Sequence, residues 1–191
     1  MPLLRHDQTY LEQGFRSLAG VDEAGRGPLA GPVVAAAVIV RDFSFSSVIR
    51  DSKQLSAKQR SAAYGEILEK CVVSTALVDA HRIDATDILA ASLLAMRQAV
   101  VKLAQEPDGV LVDGPHALEM PLRQFPIIDG DSRSLAIACA SIVAKVTRDR
   151  MMEYYDEIYP QYGFKKHKGY GTAEHVEALK KHGPCRIHFG R

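Results

Sequence analysis

Short apolar runs, each followed by glycines or polar residues, predict five β-strands along this chain. Pro32–Val40 is apolar at nearly every position, which is typical of a strand buried on both faces. The other runs end on, or just before, an acidic residue or a turn. They cover Leu18–Asp22, Cys71–Val78, Gly109–Asp113 and Phe125–Asp129.

The segments between these runs predict helices. A helix begins near Ser56, a plausible N-cap, and a long apolar helix runs from Asp84 to about Gln105. Ser134 begins another helix, rich in small residues, that ends before Pro160, and a last one covers about Ala173 to His182. Strands that alternate with helices predict an α/β domain with a partly parallel sheet, whose functional site lies at strand ends.

Four acidic residues stand at or just after the ends of predicted strands: Asp22, Glu23, Asp113 and Asp131. Desolvated carboxylates that lie close together repel one another unless a cation or a proton compensates them. Carboxylate oxygens are the ligands that hard divalent cations prefer. The pattern therefore predicts one metal-binding cluster, although a single Asp at a strand end more commonly caps a helix or forms a surface ion pair.

If two divalent cations bind about 3.5–4 Å apart, they can lower the pKa of an attacking water and neutralise charge on the leaving oxygen of a phosphodiester. Successive side chains of a strand point to opposite faces. We therefore expect Asp22 and Glu23 to serve one site only if the strand ends there, which Gly25 makes plausible.

Two glycine-containing segments are candidates for substrate contact. Gly25-Arg26-Gly27 allows close approach of backbone amides to a ligand, and these could read a ribose 2′-hydroxyl. Tyr170 lies between glycines in His167–Thr172, where its ring could stack on a sugar or a base. The alternatives are a tight turn with a surface arginine and a tyrosine that only packs.

Composition is that of a globular protein, with 191 residues, 47% hydrophobic and 25% charged, and a net charge of +1. Lys and Arg outnumber Asp and Glu from Lys145 onward, which suits a polyanionic partner. Lys53 and Lys145 are candidates for binding phosphates, although exposed lysines are commonly only solubilising.

Three widely spaced cysteines predict neither a disulfide framework nor a zinc site, so we expect a reducing compartment, the cytoplasm. The N-terminus lacks the apolar core of a signal peptide, and no stretch approaches the roughly 20 apolar residues of a membrane span. We therefore expect no association with a membrane.

The motifs together closely resemble those of bacterial ribonuclease HII, a type 2 ribonuclease H, in order and spacing. The likeness runs from about Leu18 to His188. It rests on Gly20-Val-Asp-Glu-Ala-Gly-Arg-Gly-Pro-Leu-Ala-Gly-Pro-Val33, Asp51-Ser-Lys-Gln-Leu-Ser56, Val112-Asp-Gly114, Asp129-Gly-Asp131, Ala140-Ser-Ile-Val-Ala-Lys-Val146 and His167-Lys-Gly-Tyr-Gly-Thr172.

The resemblance implies a ribonuclease H-like fold, in which a mixed five-stranded sheet is flanked by helices. It implies one catalytic domain over residues 1–191 with a helical C-terminal part at about 160–191. The related ribonuclease HIII carries an extra N-terminal domain, and about twenty residues before Asp22 are too few for one, so we expect the smaller enzyme.

The resemblance further implies endonucleolytic cleavage of RNA paired with DNA, including single ribonucleotides embedded in duplex DNA, as in ribonucleotide excision repair. Products would carry 5′-phosphate and 3′-hydroxyl ends. Asp22, Glu23, Asp113 and Asp131 would bind two Mg²⁺ or Mn²⁺ ions, Gly25, Arg26 and Gly27 would sense the 2′-hydroxyl, and Tyr170 would pack on the sugar at the RNA–DNA junction. We expect a monomer and recognise no clamp-binding peptide.

Two alternatives stay open from the residues alone. One is a metal nuclease of the same fold that acts on branched or single-stranded DNA without reading the 2′-hydroxyl. The other is a non-catalytic nucleic-acid-binding module, which the presence of all four carboxylates disfavours. Substitution of Asn at Asp22, Asp113 or Asp131 separates them, because only an enzyme would lose transition-state stabilisation.

Overall fold

A mixed five-stranded sheet forms the centre of the protein, for which the computed structural model describes residues 2–190. The strands are β1 (Leu18–Ala24), β2 (Val33–Val40), β3 (Cys71–Val78), β4 (Gly109–Asp113) and β5 (Gln124–Ile127). Their order across the sheet is β3-β2-β1-β4-β5. The pairs β3–β2 and β2–β1 are antiparallel, whereas β1–β4 and β4–β5 are parallel. The predicted α/β class and mixed sheet are confirmed.

Helices connect and flank these strands. They are α1 (Pro2–Glu12), α2 (Ala57–Lys70), α3 (Ala80–Ala85), α4 (Ile88–Val101), α5 (Leu135–Ile158), α6 (Phe164–His167) and α7 (Ala173–His182). Short 3-10 helices occur at Ser52–Gln54, Gly130–Ser132 and Pro160–Tyr162. Ser56 caps α2 with a reciprocal capping box, and the Ser134 side chain caps α5, as the sequence predicts.

The two faces of the sheet are covered by different helices. Alternate residues of β1 and β4, such as Val21 and Val112, pack with α4 on one face. The opposite face is covered by α5 together with α2. At Gly20 a Cβ atom would lie 2.2 Å from the backbone of Ala136, so glycine allows α5 to lie directly against the central strand. This close packing places α5 beside the strand ends that carry the acidic residues.

Three predicted boundaries differ from the structure. Strand β1 continues to Ala24 instead of ending at Asp22, because β2 remains paired with it to that point. The helix predicted from Asp84 to about Gln105 is α4, which begins later, at Ile88, because Asp87 caps it by accepting from the amide of Ala90 at 2.8 Å, and which ends earlier, at Val101; the separate helix α3 precedes it. No helix was expected before Leu18, yet α1 is present and Asp7 accepts a hydrogen bond from the amide of Ala136 at 2.9 Å.

Residues after α5 form a helical region that packs back on the sheet domain. Met152 of α5, Tyr162 and Phe164 form a buried cluster with Ala30 of the loop between β1 and β2. The short helix α6 ends at His167, where the glycine-containing segment His167–Thr172 begins. No helix within residues 2–190 combines the length and the hydropathy that a membrane crossing requires.

Candidate active site

Three carboxylates meet at the end of the two central strands. One side-chain oxygen from each of Asp22, Glu23 and Asp113 lies within 4.8 Å of one from the other two. Asp22 is 5% exposed, and the other two residues are partly buried. Three like charges at this separation repel strongly, so the arrangement favours a bound cation or retained protons.

The strand geometry explains how the three side chains converge. Asp22 and Asp113 belong to neighbouring parallel strands and lie on the α5 face, as Gly20 and Leu111 do. The alternation of side chains along β1 directs Glu23 toward the opposite face of the sheet. Pairing with β4 ends at Val21, however, and the Glu23 amide donates to Oδ1 of Asp22 at 2.7 Å. The expectation that the strand must end at Asp22 for both acids to share a site is therefore wrong.

Burial and repulsion raise the pKa values of two carboxyl groups in this cluster, those of Asp22 and Asp113. The pKa of Asp22 lies well above its ordinary value because the carboxyl is buried and because Glu23 and Asp113 are close. Burial and the charge of Glu23 also raise the pKa of Asp113. A cation would relieve both effects, because it compensates the charges that burial and proximity make costly.

Asp131 lies beside the cluster, in the 3-10 helix Gly130–Ser132. Its amide donates to Oδ1 of Asp113 at 3.3 Å, while its carboxylate is 3.9 Å from Nζ of Lys53. Burial and the neighbouring charges of Asp51 and Asp113 raise the pKa of Asp131 to about 6. Asp131 is not one of the three carboxylates that converge within 4.8 Å.

A cleft of about 310 Å³ contains nine of the ten residues that the sequence predicts for the site, and Asp131 is not among those that line it. The lining includes the three carboxylates, both candidate lysines and the segment Gly25–Gly27, with Tyr170 on the far side. Elements that are distant in sequence thus meet around one space. Its lining residues are Asp22, Glu23, Ala24, Gly25, Arg26, Gly27, Ser52, Lys53, Asp113, Ser141, Lys145 and Tyr170.

The two glycines of the Gly-Arg-Gly segment have different surroundings. Gly25 has φ +115°, and a Cβ atom there would lie 2.6 Å from the side chain of Arg148 and from the carbonyl of Pro32. A Cβ atom on Gly27 would meet only the Tyr170 ring, at 3.6 Å. Arg26 is exposed and donates to Oε1 of Glu23 at 3.3 Å. Gly25 therefore shapes the turn, whereas Gly27 keeps the space in front of Tyr170 open.

Arg148 of α5 joins the loops that form the cleft wall. Its guanidinium is 1% exposed and donates to the carbonyls of Pro32, Ala30 and Lys168 at 3.0, 2.9 and 2.9 Å. Burial lowers the pKa of Arg148. The three carbonyls belong to the segments that carry Gly25–Gly27 and Tyr170, so one buried side chain contacts both segments and contributes to holding them together.

The two predicted lysines differ in their surroundings. The Lys53 side chain is highly exposed. Partial desolvation lowers its pKa, but the negative charges of Asp131 and Asp51 outweigh that effect, so the pKa of Lys53 is raised. Lys145 is mostly buried, pairs with Asp149 at 2.7 Å, and its Nζ lies 5.8 Å from the centroid of the Tyr170 ring. Lys53 is thus free to move toward a ligand, whereas Lys145 must exchange its carboxylate partner.

Four residues of the site were not predicted as functional. Ser141 bonds Asp22 and donates to Ser52 at 3.0 Å, Asp51 interacts with Asp131, and Arg148 supports the cleft wall. The motifs that contain Asp51, Ser52 and Ser141 are recognisable in the sequence. Arg148 lies in the middle of α5, where the apolar part of the helix gives way to charged residues, and nothing in that pattern indicates its burial.

The donor set suits Mg²⁺ or Mn²⁺. All three converging ligands are carboxylate oxygens, and neither imidazole nor thiolate is among them, which disfavours zinc. Three protein carboxylates leave coordination positions for water and substrate oxygens, as Mg²⁺ prefers. The raised pKa values of Asp22 and Asp113 have the direction expected for a metal site without its cation.

Comparison with known proteins gives a family match over nearly the whole chain. The sequence profile described as Ribonuclease HII matches residues 19–190. A protein of Caldanaerobacter subterraneus subsp. tengcongensis named Ribonuclease HII is 49% identical over 185 residues, which cover 96% of this chain and 76% of that protein.

Two solved structures illustrate the shared fold. The RNase HII of Archaeoglobus fulgidus, solved as a complex with PCNA, superposes with a TM-score of 0.76 at 26% identity, and the match covers 92% of this chain and 95% of that one. Bst-RNase HIII, solved with Mn²⁺, superposes with a TM-score of 0.68 at 20% identity, and covers 87% and 63% of the two chains. The ribonuclease H-like fold is thereby confirmed.

Proposed function

The chain belongs to the ribonuclease HII family and is a metal-dependent ribonuclease H that cleaves RNA paired with DNA; from this premise we propose how its residues do so. Asp22, Glu23, Asp113 and Asp131 bind two divalent cations, Mg²⁺ or Mn²⁺. The observation that carries the proposal is the convergence of three carboxylates within 4.8 Å in a cleft bordered by Gly25–Gly27 and Tyr170.

Cations held there supply Lewis-acid stabilisation of the phosphodiester and lower the pKa of the attacking water. The residues of the chain orient the substrate. Asp131 belongs to the set because its amide contacts Asp113 and because its carboxyl, with a pKa of about 6, is mainly ionised at neutral pH and can therefore bind a cation. Cleavage with the 3′-oxygen as leaving group yields 5′-phosphate and 3′-hydroxyl ends.

Recognition of RNA is assigned to the opposite side of the cleft. Backbone groups of Gly25, Arg26 and Gly27 contact the ribose 2′-hydroxyl, and the Tyr170 ring packs on the sugar at the RNA–DNA junction. Gly27 supports this assignment, because a side chain there would lie between the loop and the ring. The same contacts allow incision at a single ribonucleotide within duplex DNA, the first step of its excision repair.

Lys53 and Lys145 bind substrate phosphates in this proposal, since both line the cleft next to the carboxylates. Residues 1–191 act as one catalytic domain with a helical part at about 160–191, which the shared cluster of Ala30, Met152 and Phe164 supports. A monomer suffices, because one chain supplies the whole cleft. The three widely spaced cysteines, Cys71, Cys139 and Cys185, suit the reducing cytoplasm.

The test uses three duplexes of one sequence: all DNA, DNA with a single ribonucleotide, and a hybrid with a continuous RNA strand. We expect incision of the second and third in Mg²⁺ or Mn²⁺, no cleavage of the first, and no cleavage with EDTA. Products should be ligatable after phosphatase-free purification, as 5′-phosphate and 3′-hydroxyl ends require. Absence of incision at the single ribonucleotide, or equal cleavage of the all-DNA duplex, would contradict the proposal.

A further inference from the structure

Three buried histidines lie behind the Tyr170 side of the cleft and take no part in the site described above. His167, His175 and His188 are 7%, 0% and 2% exposed. His167 and His175 stack with ring centroids 4.4 Å apart. Buried histidines need partners for both ring nitrogens, and the partners determine which nitrogen carries the proton.

His188 and His175 form a directed chain of hydrogen bonds that ends on Tyr170. The amide of Cys185 can only donate, so Nδ1 of His188, at 3.0 Å, is an acceptor. The carbonyl of Tyr170 can only accept, so Nδ1 of His175, at 2.9 Å, is a donor. The two Nε2 atoms lie 2.9 Å apart. Only neutral rings satisfy all three contacts, with His188 donating from Nε2 and His175 accepting there.

His167 fixes the neighbouring residue in the same way. Its Nδ1 accepts from the amide of Gly169 at 3.2 Å, and its Nε2 then donates to the carbonyl of Tyr162 at 2.7 Å. Burial lowers the pKa of His175, which agrees with a neutral ring. The backbone on the N-terminal side of Tyr170 and the Tyr170 carbonyl are thus both held by imidazoles of defined tautomer.

His188 also lies where the C-terminal segment meets the other wall of the cleft. It forms an isolated antiparallel bridge with Ala30. Next to that bridge, the amide of Gly31 donates to the carbonyl of Ile187 at 2.8 Å. Leu29 in turn donates to the carbonyl of Gly169 at 2.8 Å. Segment 185–189 therefore contacts the loop that follows Gly25–Gly27 and, through His175, the loop that carries Tyr170.

We propose that His188 and His175 are positioning residues for substrate recognition: their directed hydrogen bonds hold the Tyr170 loop at a fixed distance from the Gly25–Gly27 loop. The inference rests on the proposed role of Tyr170. It extends that role by assigning a function to the C-terminal segment, which contacts neither the carboxylate cluster nor the space between the two loops. These hydrogen bonds set the width of the gap between the two loops, and the ribose must enter that gap.

The tautomers can be measured without any activity assay. Long-range ¹H–¹⁵N spectra of the imidazole rings in the full-length protein at neutral pH distinguish Nδ1–H, Nε2–H and doubly protonated rings. We expect Nε2–H for His188 and His167 and Nδ1–H for His175. The opposite tautomer or a doubly protonated ring at His188 or His175 would overturn the directed chain.

Kinetic measurements test whether the hydrogen bonds of His188 and His175 act through Tyr170. His188→Leu removes the donor to His175. We expect KM for the duplex with a single ribonucleotide to rise about tenfold while kcat changes less than about twofold. That result indicates a loss of binding that is equal in the ground state and the transition state. His188→Gln keeps an N–H donor at a similar reach and should restore KM to within about threefold of the parent. His81→Leu, at an exposed histidine of α3, is the matched control and should leave KM unchanged.

A double-variant cycle separates positioning from general destabilisation. If His188 acts through Tyr170, the KM of the double variant His188→Leu, Tyr170→Ala should be less than about twofold higher than that of Tyr170→Ala alone. The Tyr170→Ala variant has already lost the ring that His188 positions. Additive effects would overturn the inference, as would failure of His188→Gln to restore KM in a variant that melts like the parent. A Tyr170→Ala enzyme with unchanged KM would instead refute the proposed role of Tyr170.

Discussion

The amide of Asp131 donates to the carboxylate of Asp113 at 3.3 Å, so the turn that carries one acid is tied to the strand end that carries another. The contact brings the Asp131 side chain to the edge of the carboxylate cluster while leaving it opposite Lys53. The backbone of Asp131 is therefore held beside Asp113, while its carboxylate faces Lys53.

Metal-free Asp131→Asn protein should be more stable than the parent at neutral pH. The folded pKa of Asp131, about 6, exceeds its ordinary value of 3.8, so the native state holds this proton more tightly than the unfolded state does. The stability linked to that proton is present below pH 3.8 and is lost as pH rises to about 6. We expect a difference of about 1 kcal/mol above pH 6, allowing for solvent screening.

Denaturant unfolding of both proteins in EDTA, at several pH values between 4 and 7.5, checks this expectation. Saturating Mg²⁺ should remove or reverse the advantage of the variant if Asp131 binds the cation, because the parent then gains binding energy. Equal stability of the two proteins at pH 7 without metal would contradict the raised pKa.

Asp113→Asn should abolish most cleavage and yet stabilise the metal-free protein. The amide keeps the shape of the side chain but loses the charge that holds a cation, and we expect kcat to fall by about 100-fold or more. Relief of repulsion with Glu23 should raise the apo melting temperature, since that repulsion contributes to the raised pKa of Asp113. Glu177→Gln, at an exposed carboxylate of α7, is the control for both measurements.

The two glycines that flank Arg26 should respond differently to alanine. Gly25→Ala places a Cβ atom 2.6 Å from Arg148 and Pro32 at a positive φ, so we expect a loss of stability of at least about 1–3 kcal/mol. Gly27→Ala should melt like the parent, because its Cβ atom makes an ordinary 3.6 Å contact with Tyr170. Its KM for ribonucleotide-containing duplex should rise. A strongly destabilised Gly27→Ala protein would contradict this difference.

Arg148→Met should be among the most destabilising substitutions in the chain. It leaves the carbonyls of Ala30, Pro32 and Lys168 without the donor that each now has, at a cost of about 1–3 kcal/mol each. Arg148→Lys should recover only part of the loss, because an ammonium cannot reproduce the planar geometry of three donors. Thermal unfolding of both variants, with Arg97→Met at an exposed position of α4 as a control, measures the effect.

Lys53→Met should weaken substrate binding in a salt-dependent way. Its side chain is 82% exposed and its ammonium is 3.9 Å from Asp131, which leaves it free to contact a phosphate. If it does, the slope of log KM against log salt should fall by about 0.9, the value for one phosphate contact in duplex DNA. Lys180→Met, at an exposed lysine of α7, should leave the slope unchanged.

The strands were predictable because each is a short apolar run bounded by a turn. Pro32–Val40 is apolar throughout because β2 lies inside the sheet, between β1 and β3, and is covered on both faces. The start of α4 was predicted too early because Asp84, like Asp87, is a residue type that begins helices, and it is the side chain of Asp87 that caps α4. Helix α1 was missed because its fixed position depends on a contact made by Asp7 with the distant helix α5.

The sequence by itself determined the sheet strands, the four acids and the two glycine-containing segments, because each depends on residue type and local spacing. Tertiary structure alone decided that Asp22 and Glu23 share a site within a continuous strand, that Asp131 faces Lys53, and that Arg148 and His188 hold the cleft walls. Each of these depends on a residue that is far away in the chain, as Asp113 is from Asp22 and Glu23, and the energies arise from burial and from partners that no local pattern contains.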